Sequence, residues 1–325
     1  MGCSSKCVFC NQREITQSYE NTESEVKKKI SECSDNINEV AFYGGSFTGI
    51  SLDKQRSLLQ SVFDFITKNK AVVRISAYPE KLSDENILLL KEYNVRIVEL
   101  GVQSLDKNVL EKSRRFYDPD RVEIITDKLK NHGFTIGHQV MLGLPGSCAD
   151  TEYETIKKII RMRPDFLRIY PVAVIKNTEL SAMYERKEYT PISIDESLKR
   201  CVEILNLLEP TNIRVIRIGL HSDSAFIKDS LINTESYSES FGQLVKSDFI
   251  FSRIVKIINN SCNISKFNIK YHPNIFSLIY GLHNSYLPKY NNMNLNFVKD
   301  SSLPLDKIII VQTDNCEQSY SFRIP

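Results

Sequence analysis

The residues best suited to chemistry are three cysteines near the start of the chain. Cys3, Cys7 and Cys10 have the spacing C-x3-C-x2-C, so three thiolates of one loop can face a common point, as a soft metal centre requires. A zinc site would need a fourth Cys or His nearby, and the next such residue, Cys33, falls in a helical pattern. Three thiolates on a [4Fe-4S] cluster leave one iron open to bind and reduce a ligand. The spacing favours this open cluster, with a zinc loop or a chance group of thiols as the alternatives.

A glycine-rich turn follows the first predicted strand and forms the second motif. Val40 to Phe42 lead into Tyr43, Gly44, Gly45 and Ser46. Glycines let the backbone approach a ligand closely, because they carry no Cβ. Such a turn is weak evidence alone, since ordinary turns look the same. Its distance from the cysteines makes it a second part of the same predicted site.

Together these two motifs resemble the radical S-adenosylmethionine (radical SAM) superfamily, in which an aromatic residue such as Phe9 commonly precedes the third cysteine. The resemblance implies a [4Fe-4S] cluster held by Cys3, Cys7 and Cys10. It also implies SAM bound at the open iron and cleaved by one electron to a 5′-deoxyadenosyl radical. The backbone of Gly44 and Gly45 would then contact the SAM amino group. Ser46 stands where the family usually has an acidic residue.

Three further segments narrow the resemblance. They are Gly101-Val102-Gln103-Ser104, Gly143-Leu144-Pro145-Gly146 and Ile169 to Leu180. They resemble the radical SAM domain of the Elongator catalytic subunit and its short bacterial relatives, and more distantly oxygen-independent coproporphyrinogen III oxidase. The resemblance implies a set of cofactor-binding residues: Gln103 and Ser104 at the SAM ribose, Arg115 near the SAM carboxylate, and Leu144 and Pro145 against adenine. Lys176 and Arg217 are candidates for binding a substrate phosphate or carboxylate.

Several of these positions have a second interpretation. Arg115 could be a solvated charge at a helix end, and Glu99 could be a strand-end charge paired with Lys or Arg. His138 lies within a strand pattern, which predicts a buried core residue rather than a base. Tyr78 stands where Elongator relatives carry an arginine, so the substrate of this chain could differ from theirs.

Strand and helix patterns alternate about six times between residues 20 and 220. Short β-branched runs, such as Val72 to Ala77 and Thr135 to Leu142, alternate with charged segments of 3.6-residue periodicity. This alternation indicates a parallel sheet with right-handed crossovers. The pattern alone leaves open a (β/α) barrel or a doubly wound sheet, whereas the resemblance implies an α/β fold with a partial (β/α)6 TIM-like barrel. The superfamily places a strand before its cysteine loop, but only Met1 and Gly2 precede Cys3. We therefore expect the barrel to lack its first strand.

The composition changes after residue 221, and we predict a radical SAM core at 1–222 and a small α+β module at 223–325. The module faintly resembles a KH-type nucleic-acid-binding domain whose glycine loop is reduced to Gly281. It is too short for the acetyltransferase domain of the Elongator subunit. Within the module, residues Asn274 to Asn284 are expected to form a helix. Basic and aromatic side chains could meet RNA, with a plain surface as the alternative: Lys266, Lys270, Lys289, Tyr271, Tyr280 and Tyr286.

Bulk charge adds little about partners. The 325 residues carry a net charge of +2, which excludes a strongly basic nucleic-acid coat and an acidic tail. No signal peptide or membrane span is visible, so the cytoplasm is expected. The hypothesis is a radical SAM enzyme that modifies RNA, in particular tRNA, with a reductase, flavodoxin or ferredoxin as electron donor. The alternatives are a non-catalytic cluster- or RNA-binding relative and an oxidoreductase like coproporphyrinogen oxidase.

Overall fold

A computed structural model describes residues 3, 6–11, 22–33, 37–220, 230–233, 237–260, 266–291, 293–313 and 318–325. The strands β1 to β10 are, in order, Glu39–Phe42, Val72–Ala77, Val95–Gln103, Thr135–Leu142, Phe166–Pro171, Arg214–Ile218, Phe267–Tyr271, Leu295–Lys299, Lys307–Gln312 and Ser319–Arg323. The helices α1 to α11 are Glu23–Ser31, Leu52–Asn69, Asp84–Glu92, Lys107–Lys112, Asp120–Asn131, Ala149–Met162, Glu179–Glu185, Ile194–Leu208, Phe241–Asn260, Phe276–Tyr280 and Leu287–Tyr290. Short 3-10 helices occur at Phe47–Gly49, Pro79–Lys81, Pro273–Ile275 and Leu282–Asn284.

The first six strands form one parallel sheet in the spatial order β1-β2-β3-β4-β5-β6. A doubly wound sheet reverses its strand order at a switch point, and this sheet does not. Within the described residues β1 and β6 do not pair, so the sheet is a curled half-barrel with two edges. The predicted partial (β/α)6 barrel is confirmed, and the doubly wound alternative is wrong.

Helix starts follow the side chains that cap them. Ser83 accepts a hydrogen bond from the backbone N–H of Asn86, whose side chain accepts one from the Ser83 N–H. This capping box begins α3. Ser51 and Ser193 cap α2 and α8 in the simpler way, with one side-chain acceptor each. These caps satisfy backbone donors that a helix start would otherwise leave unpaired.

The two faces of the sheet differ in chemistry. On β2, for example, Val73, Ile75 and Ala77 are buried, whereas Arg74 and Ser76 are half-buried. Successive side chains of a strand point to opposite faces, so apolar residues pack under the helices and polar residues line the concave face. We call this concave face, bounded by β1 and β6, the lumen. The polar side chains of the lumen are the subject of the site described below.

His138 lies on the helix-facing side of β4 and is fully buried. Its Nε2 atom is 2.9 Å from the hydroxyl of Thr126 on α5. Burial lowers the pKa of His138 to about 3, because a buried imidazolium loses its hydration. The prediction of a core histidine is supported by this position between sheet and helix.

The low pKa of His138 predicts acid sensitivity. The unfolded state binds a proton below about pH 6.5, but the folded state does not until about pH 3, so stability is lost as the pH falls through this window. A His138→Gln variant lacks this titration. Between about pH 6 and 4, the slope of its free energy of unfolding against pH should therefore be smaller than that of the wild type by about 1.4 kcal/mol per pH unit. Urea unfolding at a series of pH values measures this slope. Parallel slopes for the two proteins would contradict the prediction.

The C-terminal module contains α9 and a mixed four-stranded sheet in the order β10-β9-β7-β8. β7 and β8 are parallel neighbours, and the chain between them contains short helices. β9 pairs antiparallel with β7. An ion pair of 3.2 Å between Arg253 of α9 and Glu209 joins the module to the half-barrel. The predicted boundary at 222/223 lies within 221–229, outside the described residues, and stays a prediction.

Two expectations for the module are wrong. The helix predicted over 274–284 is broken at Gly281, where φ is +74° and an added Cβ would lie 2.3 Å from the ring of Tyr286. Glycine is therefore required there for packing. Tyr271 and Tyr286 are 1% and 6% exposed, so their rings belong to the module core and cannot stack on RNA bases. Among the described helices none is long and apolar enough to span a membrane.

Candidate cofactor and substrate site

The cysteine loop is anchored by the residue between its cysteines. Val8 is 1% exposed, and its backbone forms two hydrogen bonds that leave the loop on opposite sides. Its N–H donates to the carbonyl of Ser113, which follows α4, at 3.2 Å, and its carbonyl accepts from the N–H of Leu180 in α7 at 2.8 Å. Asn11 extends the second contact, since its amide donates to the carbonyl of Asn177 at 3.0 Å. The loop is therefore attached to segments that follow β3 and β5.

The sulfurs of Cys3 and Cys7 accept hydrogen bonds from two of the segments predicted to bind SAM. The backbone N–H of Ser46 donates to Cys3 Sγ at 3.1 Å. The Nη1 atom of Arg115 donates to Cys7 Sγ at 3.2 Å. Donors aimed at sulfur stabilise the thiolate, which is the form that binds iron. The three segments that the sequence predicted to cooperate thus lie next to one another.

The glycine turn after β1 has the backbone that the sequence predicted. Gly44 and Gly45 have φ angles of +99° and +126°, a region that residues with a Cβ rarely adopt. Ser46 is 5% exposed, and its hydroxyl accepts a hydrogen bond from the N–H of Tyr78 at 3.0 Å. Serine here connects the end of β1 to the end of β2, a neutral role that an acidic side chain would perform with a buried charge.

Arg115 is buried, and its surroundings exclude the interpretation of a solvated helix-end charge. It is 5% exposed, and its Nη2 atom donates to the carbonyl of Gly101 on β3. Its guanidinium carbon lies 4.7 Å from the ring centre of Tyr78 and 5.6 Å from that of Tyr117. Cation–π contacts of this kind hold a cation in a desolvated position. Tyr78 forms one side of this cradle.

Gln103 and Ser104 stand at the end of β3 in an unusual backbone. Gln103 has a φ of +66°, which is costly for a residue with a Cβ. Its Oε1 atom is buried and has no hydrogen-bond partner among the described residues. A buried acceptor without a donor costs free energy, so this position suits a ligand that donates a hydrogen bond. Ser104 is 5% exposed, and its carbonyl accepts from the hydroxyl of Tyr117.

Leu144 and Pro145 lie in the turn after β4 and are buried. Leu144 is 2% exposed and belongs to an apolar cluster with Val8 of the cysteine loop and Val109 of α4. The Leu144 side chain therefore belongs to the apolar cluster into which Val8 of the cysteine loop is buried. Gly143, which begins the turn, has a φ of +79°, and a Cβ there would lie 2.9 Å from Ile192. The predicted contact of this turn with adenine remains a prediction.

A buried carboxylate that sequence reasoning missed holds this turn in place. Glu152 of α6 is 5% exposed and accepts hydrogen bonds from the N–H of Gly143 at 2.7 Å and the hydroxyl of Ser147 at 2.9 Å. Arg200 of α8 donates to both its oxygens at 3.1 and 3.2 Å. Burial raises the pKa of Glu152, and these donors oppose the rise. Glu152 thus connects the turn to two helices.

The lumen contains a second buried carboxylate, Glu99 of β3, which is 0% exposed. Arg74 of β2 and Arg168 of β5 approach its Oε1 atom at 2.6 and 2.9 Å. Gln139 of β4 donates to its Oε2 atom at 2.7 Å, and the hydroxyl of Tyr43 donates to Oε1 at 3.0 Å. The paired interpretation of Glu99 is therefore the one the structure supports.

Tyr43 connects this lumen network to the glycine turn. It directly precedes Gly44, and its hydroxyl lies 2.9 Å from Nη2 of Arg168 and 3.0 Å from Glu99. Burial and the neighbouring carboxylate raise the pKa of Tyr43 to about 12, so the phenol stays protonated near neutral pH. On the outer side, Arg74 donates through Nε and Nη2 to both oxygens of Glu39 at 2.7 Å.

The two predicted substrate-binding cations, Lys176 and Arg217, differ in their position relative to the lumen. Lys176 is exposed in the segment after β5, where its N–H donates to the carbonyl of Ser230 at 2.8 Å. Arg217 is half-buried on β6 and pairs in register with Arg168. The structure therefore brings Arg217, but not Lys176, into line with the lumen network by strand register.

The residues present fit the cofactors that the resemblance implies. Among the described residues no three His, Cys, Asp or Glu side chains are gathered as a preformed metal site. The chemistry of the donors nevertheless matches: Cys3, Cys7 and Cys10 lie on one anchored loop, and cysteine thiolates are the ligands of iron–sulfur clusters. The unpaired Oε1 atom of Gln103 adds an acceptor for a polar ligand beside them.

The sequence matches the description "Radical SAM superfamily" over residues 1–159 and "Radical_SAM C-terminal domain" over residues 164–249. The half-barrel and the cysteine loop define the same class. The chain belongs to the radical SAM superfamily of enzymes.

Its relatives include proteins that act on tRNA. An uncharacterized protein of Methanocaldococcus jannaschii is 29% identical over 230 residues, which cover 65% of this chain and 70% of that protein. The tRNA uridine(34) acetyltransferase of Methanocaldococcus infernus is 24% identical over 225 residues, covering 63% of this chain. The solved structure of Methanocaldococcus infernus Elp3 with an N-terminal deletion has a TM-score of 0.60 at 19% identity, covering 90% of this chain and 70% of that one. The predicted resemblance to Elongator-type radical SAM proteins is confirmed.

This likeness has a limited extent. The matched region makes up 42% of the length of the Methanocaldococcus infernus acetyltransferase. At 19% identity the likeness to the solved structure concerns the fold. The substrate and the reaction of those larger proteins therefore do not pass to this chain without a further argument.

Proposed function

We propose that this protein binds a [4Fe-4S] cluster through Cys3, Cys7 and Cys10, reductively cleaves SAM, and modifies RNA, with tRNA as the substrate class. When bound, the cluster and SAM supply a 5′-deoxyadenosyl radical that abstracts a hydrogen atom from the substrate. The observation that carries the proposal is the pair of N–H donors, from Ser46 and Arg115, that face Cys3 and Cys7. These donors connect the thiols to two of the segments predicted to bind SAM.

The chain's own residues position and desolvate this chemistry. The positive φ angles of Gly44 and Gly45 leave their backbone open to a polar ligand. Gln103 offers a buried acceptor at the end of β3, and Arg115 is held between two tyrosine rings with its charge directed at Cys7. Enzymes that generate radicals must exclude water and competing reactions from the site. Burial of Ser46, Ser104 and Arg115 serves this purpose.

The first experiment tests cofactor chemistry in anaerobically reconstituted full-length protein. We expect absorbance near 400 nm, bound iron and sulfide, and dithionite-dependent formation of 5′-deoxyadenosine from SAM. A Cys7→Ala variant should lose both readouts, whereas Cys148→Ala should keep them, because Cys148 is an exposed free thiol outside the cysteine loop. Failure of the wild-type protein to bind iron would overturn the proposal.

The proposal of RNA as substrate is supported by the relatives named as tRNA uridine(34) acetyltransferases. Bulk tRNA should bind the reconstituted protein and raise the rate of 5′-deoxyadenosine formation. RNA binding that persists without any SAM cleavage would favour the non-catalytic alternative. Activity on coproporphyrinogen would favour the oxidoreductase alternative.

A reductase, flavodoxin or ferredoxin is the proposed electron donor, and the cytoplasm the proposed compartment. No disulfide joins the described cysteines, which agrees with a reducing environment. The dependence of SAM cleavage on each purified donor, compared with dithionite, tests the first of these.

A further inference from the structure

A bulge in β6 directs an additional charge into the lumen. Because paired residues of neighbouring strands share a face, Arg217 lies on the lumen side with Arg168, and Ile216 is the extra residue of the bulge. Bulges often redirect a side chain beside an active site. The register that defines this bulge is Leu167 with Val215, Arg168 with Arg217, and Ile169 with Ile218.

The charges of the lumen do not balance on this side. Glu39 is paired with Arg74, and Glu99 is shared by Arg74 and Arg168. Arg217 has no hydrogen bond or ion pair to any described residue. The Nε atom of Arg168 is buried and also has no hydrogen-bond partner in the part of the chain that the structure describes. Two guanidinium groups in cross-strand register repel each other. Glu99 is already shared by Arg74 and Arg168, so the pair of Arg168 and Arg217 favours binding of a further anion.

We propose that Arg168 and Arg217 bind a phosphate group of the substrate within the lumen. This inference rests on the proposed function, because it assigns a binding site to the substrate of the same reaction. Guanidinium groups match phosphate oxygens in geometry and hold them with charge-assisted hydrogen bonds. Tyr170, whose hydroxyl accepts from Nη1 of Arg168 at 3.3 Å, keeps that guanidinium in the plane of the sheet's polar face.

The position of the site agrees with this use. Arg168 contacts Tyr43, which directly precedes the glycine turn, so a phosphate on Arg168 lies one side chain away from the predicted SAM-binding backbone. β1 and β6 are unpaired edges in the described sheet. Tyr43, which follows β1, and Ile216 on β6 are 44% and 42% exposed. The lumen can therefore receive a group that belongs to a larger molecule. The phosphate can come from a free nucleotide or from an RNA chain.

The test measures binding to the full-length reconstituted protein in the presence of SAM and without reductant. The probes are uridine 5′-monophosphate, uridine, bulk tRNA and succinate. We expect the monophosphate to bind at least about tenfold more tightly than uridine, because hydrogen bonds to a charged group are stronger than those between neutral groups. An Arg217→Gln variant should lose most of this difference. Arg217→Lys should recover only part, since lysine keeps the charge but not the planar fork.

Arg214→Gln is the matched control. Arg214 lies on the same strand and carries the same charge, but it is exposed at the start of β6. Its loss should change affinity for either probe less than twofold. Equal losses for Arg214→Gln and Arg217→Gln would mean that only bulk charge is sensed, which overturns the inference. Tighter binding of succinate than of the monophosphate at Arg217 would overturn it too.

These measurements also distinguish a free nucleotide from an RNA chain as the source of the phosphate. They further distinguish failure of the phosphate site from failure of the proposed function. Dependence on Arg217 for both the monophosphate and tRNA assigns a phosphate site that either molecule can use, and dependence for tRNA alone assigns it to a phosphodiester. Absence of 5′-deoxyadenosine from the wild-type protein with reductant would refute the proposed function, but it would leave the binding result intact. Conversely, normal SAM cleavage with equal binding of uridine and its monophosphate would refute only the phosphate site.

Discussion

Replacing Glu99 by Gln is expected to lower the free energy of unfolding by about 3–5 kcal/mol, the cost of removing one partner from a buried ion pair. The Glu99 side chain is fully buried, and Arg168 finds its only described carboxylate there, at 2.9 Å. Glutamine keeps the shape and a hydrogen-bond acceptor but not the charge. The variant would therefore leave Arg168 without a described carboxylate partner, whereas Arg74 would keep its pair with Glu39 of β1. Urea unfolding of wild type and variant measures the loss.

Glu39→Gln is the control for this prediction. The Glu39 side chain is 37% exposed and pairs with Arg74 at the edge of the sheet, so solvent screens the pair and its loss should cost less than about 1 kcal/mol. If Glu99→Gln folds too poorly to measure, the double variant Glu99→Gln/Arg168→Gln should be the more stable of the two, because it removes the uncompensated cation. A loss below about 1 kcal/mol for Glu99→Gln would contradict the role given to this carboxylate.

Replacing Arg115 by Met is expected to weaken the binding of iron by about ten- to a hundredfold, as the loss of residues that orient metal ligands usually does. Methionine keeps much of the apolar contact with Tyr78 and Tyr117 but removes the donor to Cys7 Sγ. Hydrogen bonds to cluster sulfurs also shift reduction potentials, so the potential of the remaining cluster should become more negative. The rate of iron loss to a chelator and a redox titration measure the two effects.

Arg114→Met serves as the neighbouring control. The Arg114 side chain is 52% exposed and reaches Glu179 at 3.6 Å, away from the thiols. It should bind iron as the wild type does. The potential distinguishes positioning from mere folding, because partial unfolding would reduce iron content without shifting the potential of intact clusters. An unchanged iron affinity and potential in Arg115→Met would show that Cys7 does not depend on this guanidinium.

Much of the half-barrel could be predicted because its periodicity is local. β2 and β4 have the predicted bounds, 72–77 and 135–142, since apolar residues alternate with polar ones on a single buried strand. Short elements were missed where propensity gives a weak signal. α7 has only seven residues, and β10 is a half-exposed edge strand. The helix predicted over 274–284 failed at one glycine, whose required φ depends on the distant ring of Tyr286.

The candidate site was predictable to the extent that it is a motif. The cysteine spacing and the glycine turn are continuous in sequence, so they identified the loop and its neighbours. The lumen network is not continuous: Arg74, Glu99 and Arg168 come from three strands and meet only through the register of the sheet. A signal for it existed, because each of these charges follows a buried residue in an otherwise apolar strand. Its interpretation required the sheet order, which charge patterns alone do not determine.

The anchoring of the cysteine loop has a mechanical consequence for the whole half-barrel. At one end Cys3 is bound to the turn after β1, and at the other Val8 and Asn11 are bound to α7 and the segment after β5. The loop thus connects two sides of the curled sheet across the open gap between them. Metal binding at the thiols would make this connection more rigid, and iron loss would make it less rigid. Iron loss should therefore widen the entrance and raise the rate of backbone hydrogen exchange in α7 and β1. These exchange rates would show whether the loop has lost its metal.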